Sequence, residues 1–361
     1  MERRTKGPAP PHCPNPNCRY HSPLSSYWPF KRRGFYLRKT RPERIQRFTC
    51  LDCGRHFSSQ SFKTTYYLKR PELLPRIFAM VVGCMCNRQI ARALGCSPAT
   101  VTLQIARLGR HCLLFQADEL ARITALSEIV IDGFESFEWS QYFPFHHNVG
   151  VDVETGYFLF HTDSPLRRKG RMTPAQKTRR TTLESTLGRP DPRAIESGVR
   201  ALVSAMKWSP LTIRSDDHPA YRRPLERPGV TQQVTASTER RDRNNPLWEV
   251  NLLDLMIRHS TAAHKRETIA WAKRRQASIE KLAVFQVWRN YIKKRREKGA
   301  RVTPAMLIGV VSRPLKVRDI LSSRRFFRHV ALPEVWKRYY RRGVCTRALA
   351  VNRAHELTYA F

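Results

Sequence analysis

Four cysteines occur as two closely spaced pairs that could bind one metal ion. Cys13 and Cys18 are spaced C-x4-C, Cys50 and Cys53 are spaced C-x2-C, and each pair has turn-forming residues beside it. Two tight turns of this kind can direct four thiolates at a tetrahedral Zn²⁺ ion. The alternative is four unrelated thiols that happen to fall in pairs. The spacing and the turn residues together predict a structural zinc site in a zinc ribbon over residues 1–62.

Two histidines near these cysteines could replace a cysteine ligand. His21 follows the first pair and His56 follows the second. Histidines in a basic segment are more often exposed or in contact with phosphate. The predicted ligand set therefore contains the four cysteines alone.

Two aspartates each follow a short apolar segment that is typical of a buried strand. Asp132 follows residues 129–131 and Asp216 follows residues 211–215. If the two strands lie side by side, the carboxylates are neighbours, which is unfavourable unless a cation joins them. Mg²⁺ or Mn²⁺ suits such a site, because a few carboxylates leave coordination positions for water and phosphate oxygens. Two such ions can assist phosphodiester cleavage.

A third carboxylate is expected from the helical region predicted over residues 247–294. The candidates there are Glu249, Asp254, Glu267 and Glu280. For any one of them, the alternative is a solvated surface charge that pairs with one of the many arginines. This alternative applies less to Asp132 and Asp216, because ligands bind at the ends of strands in such sheets.

Residues 70–115 have the helical periodicity and turn residues of a DNA-binding motif. Ala91, Gly95 and Val101 have the spacing of a helix-turn-helix, and Ser97 is a suitable N-cap for the third helix. The alternative is an ordinary helical hairpin. The side chains that this helix would present to a DNA major groove are Ala99, Thr100, Thr102, Gln104 and Arg107.

The pattern over residues 125–300 predicts an α/β catalytic domain. Three strands are followed by a helix, a strand, a helix, a strand and a further helical region. This is the element order of a ribonuclease H-like fold, in which the first and fourth strands are adjacent. Residues 166–192 form a long connection rich in Pro, Gly and Arg. Residues 301–361 are expected to be a basic C-terminal extension.

The composition indicates a polyanionic partner. The chain has 361 residues, with 66 Lys and Arg against 29 Asp and Glu and a formal net charge of +37. Double-stranded DNA is the expected partner, and an anionic membrane surface is the rival. A spanning helix is not expected, because no apolar stretch approaches the ~18 residues that one needs. The basic N-terminus lacks a following apolar run, so we expect a cytoplasmic protein rather than a secreted one.

The chain resembles a bacterial insertion-sequence transposase of the DDE/DDD superfamily. The resemblance rests first on the combination of the cysteine pairs, the helix-turn-helix spacing and the strand-end acids. It also rests on five sequence segments: IDGFESF at 131–137, SDDHPAY at 215–221, residues 258–268, VWRNY at 287–291 and RAHEL at 353–357. It implies Mg²⁺-dependent cleavage at transposon ends, followed by strand transfer into target DNA. It also implies a homo-oligomer that is associated with the nucleoid when bound to DNA.

The resemblance also suggests an identity for the third acid. Related families place it three residues after an Asn early in the last helix, and Asn251 and Asp254 have this spacing. Asp stands there in place of the commoner Glu, and Glu280 is the alternative third acid. His218 and Arg258 are secondary candidates for phosphate contacts.

Three other functions are compatible with the sequence. A transcription regulator would use the zinc ribbon and helix-turn-helix without cutting DNA. A decayed transposase would bind ends but lack a working metal site. An RNA-processing nuclease could share the catalytic fold, although the helix-turn-helix favours DNA.

Overall fold

The N-terminal part of the computed structural model is a small antiparallel sheet built around the paired cysteines. The model describes residues 8–22, 27–265, 268–352 and 354. Cys13, Cys18 and Cys50 pack with Phe48 and Phe57 in a cluster of their own. The sheet has the strand order β1-β2-β3, with strands β1 Phe30–Leu37, β2 Arg44–Cys50 and β3 His56–Ser58. We call residues 8–62, within the described ranges, the cysteine module.

Three helices follow the cysteine module: α1 Leu73–Val82, α2 Asn87–Leu94 and α3 Pro98–Leu120. Gly95 ends α2 in the left-handed conformation, with φ +57°, which glycine adopts without a steric penalty. The Ser97 hydroxyl accepts the Thr100 N–H and caps α3. Helix α3 continues five residues beyond the expected boundary at 115, and its C-terminal half is buried.

A five-stranded mixed sheet forms the centre of the protein. Its strands are β4 Glu128–Phe137, β5 Pro144–Asp152, β6 Phe158–Pro165, β7 Leu211–Asp216 and β8 Val230–Thr235. The order is β6-β5-β4-β7-β8, with β4, β5 and β6 antiparallel and β4, β7 and β8 parallel. The predicted first and fourth strands are therefore adjacent.

Helices cover both faces of this sheet. The helices after β6 are α4 Pro174–Leu187, α5 Ala194–Ser204, α6 Pro219–Leu225, α7 Trp248–Ser260 and α8 Arg275–Tyr291. Successive side chains of a strand point to opposite faces. Ile129 and Ile131 accordingly face the cluster that includes α1, α3 and α5, whereas Val130 faces the cluster that includes α7.

Two expected elements differ from the structure. The region 247–294 is divided into α7 and α8, because the chain leaves the helical conformation after Ser260. The connection at 166–192 contains α4, whose residues are all exposed or half-buried. A helix without a buried face lacks the apolar periodicity by which it could have been predicted.

The C-terminal residues pack into the main core. They form α9 Pro304–Leu307, α10 Val317–Ile320 and α11 Glu334–Tyr340. Trp336 is fully buried, and its indole N–H donates to the His161 carbonyl at 2.9 Å. The described part of residues 301–361 is thus an integral layer rather than a simple extension. Among the described residues, no helix combines the length and apolar character that crossing a membrane requires.

Candidate functional site

Asp132 lies where β4 separates from its parallel neighbour β7. The two strands pair only from Glu128 to Val130, whereas β4 continues to pair with β5 as far as Phe137. The predicted strand end at Asp132 was therefore wrong: the strand continues, and only its pairing with β7 stops. The Gly133 N–H donates to the Asp132 carboxylate at 2.7 Å.

Asp216 and Asp254 line the same cleft as Asp132. Asp216 is the last residue of β7, and Asp254 lies on α7 one turn after Asn251. The cleft has a volume of about 1010 Å³, and all four of these residues are in its wall. The structure thus brings together the first two acids predicted from the sequence and the preferred third.

Burial and mutual repulsion act on the acids in this cleft. Burial raises the pKa of the Asp132 carboxyl to about 6, and the Asp216 carboxylate adds to this effect. The Gly133 N–H and the Arg241 guanidinium oppose it. In the absence of a cation, burial and the neighbouring Asp216 charge therefore disfavour ionisation of Asp132.

Tyr221 connects α6 to the acids. Its side chain is buried, and its hydroxyl donates to Asp132 at 3.4 Å. Burial raises the Tyr221 pKa, and the charges of Asp132, Asp216 and Asp254 raise it further. All three carboxylates are thus close enough to shift the pKa of one hydroxyl group.

Basic side chains share the cleft with the acids. Arg241, Arg258 and Lys265 line it. The Arg258 guanidinium donates to the carbonyls of His264 and Glu135, at 3.1 and 3.4 Å, and lies 5.4 Å from the Phe134 ring centroid. These contacts hold the Arg258 guanidinium inside the cleft, where it could contact a phosphate group.

Two of the other third-acid candidates, Glu280 and Glu249, do not line this cleft. Glu280 is buried on α8, where its carboxylate accepts hydrogen bonds from Arg342 at 2.8 Å and Gln276 at 3.2 Å. Glu249 pairs with Arg295 at 2.6 Å. Glu267 lies outside the described residues, as do position 353 and positions 355–357 of the segment RAHEL.

The four predicted cysteine ligands converge in the cysteine module. Their sulfur atoms all lie within 4.8 Å of one another. The Cys13–Cys53 and Cys18–Cys50 sulfur separations are 3.6 and 3.8 Å. Tetrahedral zinc with Zn–S bonds of ~2.3 Å requires separations of about 3.8 Å. The geometry of the four cysteines is compatible with zinc.

The Cys50 thiol ionises more readily than an ordinary thiol even without a metal ion. Burial opposes ionisation of Cys50, but the backbone N–H groups of Cys53 and Asp52 and the indole of Trp28 lower its pKa to about 7. Burial raises the pKa of Cys18 to about 12. A bound cation would favour the thiolate form that coordination requires.

Two of the predicted DNA-contact residues pack against the protein. Gln104 is buried, so its predicted orientation toward a major groove was wrong. Arg107 is half-buried and donates to the Thr64 carbonyl at 2.9 Å. Thr102 is exposed and donates to the Pro98 carbonyl. Thr100 is half-buried and forms a hydrogen bond with Ser97.

Several residues of the cleft, among them His146, Arg241 and Lys265, had no role predicted from the sequence. His146 lines it opposite Glu135 in the β4–β5 register, and burial lowers the His146 pKa to about 4. Arg241 and Lys265 come from loops. Alternation along the β4–β5 hairpin could have indicated His146, but nothing in the sequence pattern distinguishes these two cations from many others.

Comparisons with known proteins gave structural matches of low sequence identity, and two of them are the following. No family model and no curated protein matched the chain. A chain of the simian T-cell lymphotropic virus intasome in complex with PP2A regulatory subunit B56 gamma is 11% identical, with 52% of this chain and 55% of that chain covered and a TM-score of 0.25. The HTLV-2 integrase catalytic core domain in complex with magnesium is 12% identical, with 52% and 97% covered and a TM-score of 0.22.

The matched region spans about half the length of that intasome chain. Both TM-scores are below 0.5, so the function of this chain has to follow from the geometry of its own site.

Proposed function

We propose that this protein is a divalent-metal-dependent DNA transposase of the DDE/DDD type, which cleaves DNA strands and joins them to a target. The observation that carries the proposal is the cleft shared by Asp132, Asp216 and Asp254. The sheet order, with β4 beside β7, supports a ribonuclease H-like catalytic domain. A bacterial insertion-sequence origin and a nucleoid location are part of the same proposal.

The three carboxylates are the residues that would hold Mg²⁺ or Mn²⁺. They fit a hard cation, because each offers oxygen ligands and because Asp132 is held beside another acid at a raised pKa. A pair of such ions activates an attacking oxygen and stabilises a leaving oxygen in phosphodiester chemistry. Asp254, rather than the ion-paired Glu280, is the proposed third ligand.

The remaining cleft residues would orient the carboxylates and the DNA backbone. Gly133 and Tyr221 donate hydrogen bonds to Asp132 and restrict its rotation. Arg258, which is fixed by two carbonyl groups, would contact a non-bridging phosphate oxygen. Bound DNA would thus be aligned by groups that are already in place.

A basic and aromatic surface leads from α2 to this cleft. Arg88 is exposed on α2 and close enough to Lys273 to lower the pKa of that amine, although burial contributes more. The Lys273 amine lies 3.3 Å from the Trp271 ring centroid, and Trp271 contacts Phe137 at 5.5 Å. Phe137 lines the cleft. We propose that DNA follows this path, with phosphate contacts from the cations and stacking on the rings.

The cysteine module would bind structural zinc and support DNA binding. The helices α2 and α3 would act as the helix-turn-helix, with Arg88, Arg92 and Thr102 on the exposed side. These replace Gln104 and Arg107 as the proposed DNA contacts. Joining two transposon ends requires two catalytic sites, so a homo-oligomer on DNA belongs to the proposal.

The test is Mg²⁺-dependent cleavage of DNA that carries the sequences flanking the gene. Asp132→Asn, Asp216→Asn and Asp254→Asn should each abolish cleavage and preserve DNA binding, since binding depends on other surfaces. Asp217→Asn is the matched control, because this exposed neighbour of Asp216 accepts hydrogen bonds from Ser237 instead of lining the cleft.

Two outcomes would count against the proposal. If Asp132→Asn and Asp216→Asn both cut normally, the cleft is not the catalytic site. If wild type binds the ends tightly but cuts neither strand with Mg²⁺ or Mn²⁺, the protein is a DNA-binding protein without transposase activity.

A further inference from the structure

Three histidines converge where the C-terminal segment meets the cysteine module. His12 and His21 belong to the module, and His329 belongs to a short turn before α11. One ring nitrogen from each lies within 4.8 Å of the other two. His12 and His21 are each 6% exposed, and His329 is half-buried. The cluster is therefore enclosed by protein but open on the His329 side.

Each ring is oriented by a hydrogen bond to a backbone carbonyl. The Nδ1–H groups of His12 and His21 donate to the Cys13 carbonyl at 3.0 and 2.8 Å. The Nε2–H of His329 donates to the His21 carbonyl at 2.7 Å. Because a carbonyl can only accept, these bonds assign the proton and leave a lone pair on the second nitrogen of each ring. Metal-binding histidines have this arrangement.

The alternative is a cluster of buried histidines that serves packing alone. The rings do pack: His329 lies 4.5 Å from His12 and 4.4 Å from His21 between centroids, and Phe326 lies 4.7 Å from His12. Packing alone does not require that a ring nitrogen of each of the three histidines lie within 4.8 Å of those of the other two. Three imidazole nitrogens this close together can bind one metal ion.

We propose that His12, His21 and His329 bind a Zn²⁺ ion through three imidazole nitrogens, with a fourth position open to water. Three neutral histidines are an established zinc ligand set. The site is separate from the proposed cysteine site and does not depend on the cleavage activity.

This zinc would fasten the C-terminal segment to the cysteine module. The contact already includes Arg328, which donates to the Pro16 carbonyl at 2.5 Å and to the Asn17 side chain at 3.3 Å. Its guanidinium and that of buried Arg324 repel a cation, and both lower the pKa of His21 after the larger effect of burial. The histidine site should therefore bind zinc more weakly than four thiolates do.

Zinc content of the full-length protein, purified without a polyhistidine tag, tests the proposal. Wild type should contain two zinc ions per chain, and His329→Gln should contain one. Cys50→Ser should also lose one, from the other site. His56→Gln is the matched control, because this exposed histidine of the same module hydrogen-bonds to Thr49 and should leave both ions in place.

Cobalt substitution separates the two sites spectroscopically. His329→Gln should keep the thiolate-to-cobalt charge-transfer absorption and lose one cobalt ion, whereas Cys50→Ser should lose most of that absorption. His329→Cys supplies a different zinc ligand and should restore the second ion. That result would show that the loss of zinc in His329→Gln is not due to misfolding. A single zinc in wild type that His329→Gln retains, or two zinc ions in His329→Gln, would overturn the proposal.

Discussion

Replacing Asp132 by Asn should stabilise the metal-free protein at neutral pH. Burial raises the pKa of the Asp132 carboxyl to about 6 in the folded protein, from an ordinary value of 3.8. Ionising it is therefore harder in the folded state than in the unfolded chain, so stability falls as pH rises from 3.8 through 6. At about 1.36 kcal/mol per pKa unit, the loss above pH 7 approaches ~3 kcal/mol. Asn cannot ionise, so the variant does not lose this stability as pH rises.

The expected change in melting temperature follows from the chain length. At ~2.1 cal/mol/K per residue, a chain of 361 residues has an unfolding entropy near 0.8 kcal/mol/K, so ~3 kcal/mol corresponds to roughly 4 °C. Thermal unfolding in EDTA should therefore show Asp132→Asn melting up to about 4 °C above wild type at pH 7.5. Below pH 4 the two should coincide, because the wild-type carboxyl is then neutral.

Added metal should raise the melting temperature of wild type above that of Asp132→Asn. Mg²⁺ or Mn²⁺ at 100 times its dissociation constant would stabilise wild type by about 2.7 kcal/mol, and the variant should gain little. Asp217→Asn should follow wild type in both buffers. A melting temperature of Asp132→Asn below that of wild type in EDTA at pH 7.5 would contradict the raised pKa of Asp132. Equal stabilisation of the variant and wild type by Mg²⁺ would contradict a role of Asp132 in metal binding.

Three further substitutions test packing, site geometry and DNA contact. Gly109→Ala places a methyl group 2.7 Å from the α8 backbone and should destabilise the protein by roughly 1–3 kcal/mol in denaturant unfolding. Gly133→Ala places one 2.9 Å from the His146 ring and should slow cleavage about 100-fold while DNA affinity is unchanged. Neutralising the exposed Lys177 and Arg179 of α4 should reduce the salt slope of DNA binding by about 2, for specific and non-specific DNA alike, in an anisotropy titration.

The parts of the fold that depend on local patterns could be predicted from the sequence. The alternation and apolar runs of β4 to β8 predict that these segments are strands, although they do not predict where β4 ends, and the element order places β4 beside β7. The spacing of the cysteines reflects two local turns, so their convergence was also predictable. Asp132, Asp216 and Asp254 meet because each is placed by its own element, while their role in binding metal stays a prediction.

Features that depend on contacts between distant segments could not be predicted. Arg107 has the sequence character of a groove-facing residue, but the Thr64 carbonyl binds it from another segment. Helix α3 packs so closely on α8 that only glycine fits at position 109. The histidine cluster needs His329 to meet residues near the N-terminus, and periodicity carries no information about such a contact.

Asp254 and Glu280 show why the choice of a third acid needed the structure. Both are acids on helices in the region where the sequence expects one. Asp254 is on α7 and lines an open cleft together with Asp132 and Asp216. Glu280 is buried and bound by Arg342 and Gln276. A buried carboxylate that already pairs with Arg342 cannot leave it without an unpaired charge in the core. We therefore expect Glu280 to stabilise the fold and propose Asp254 as the third metal ligand.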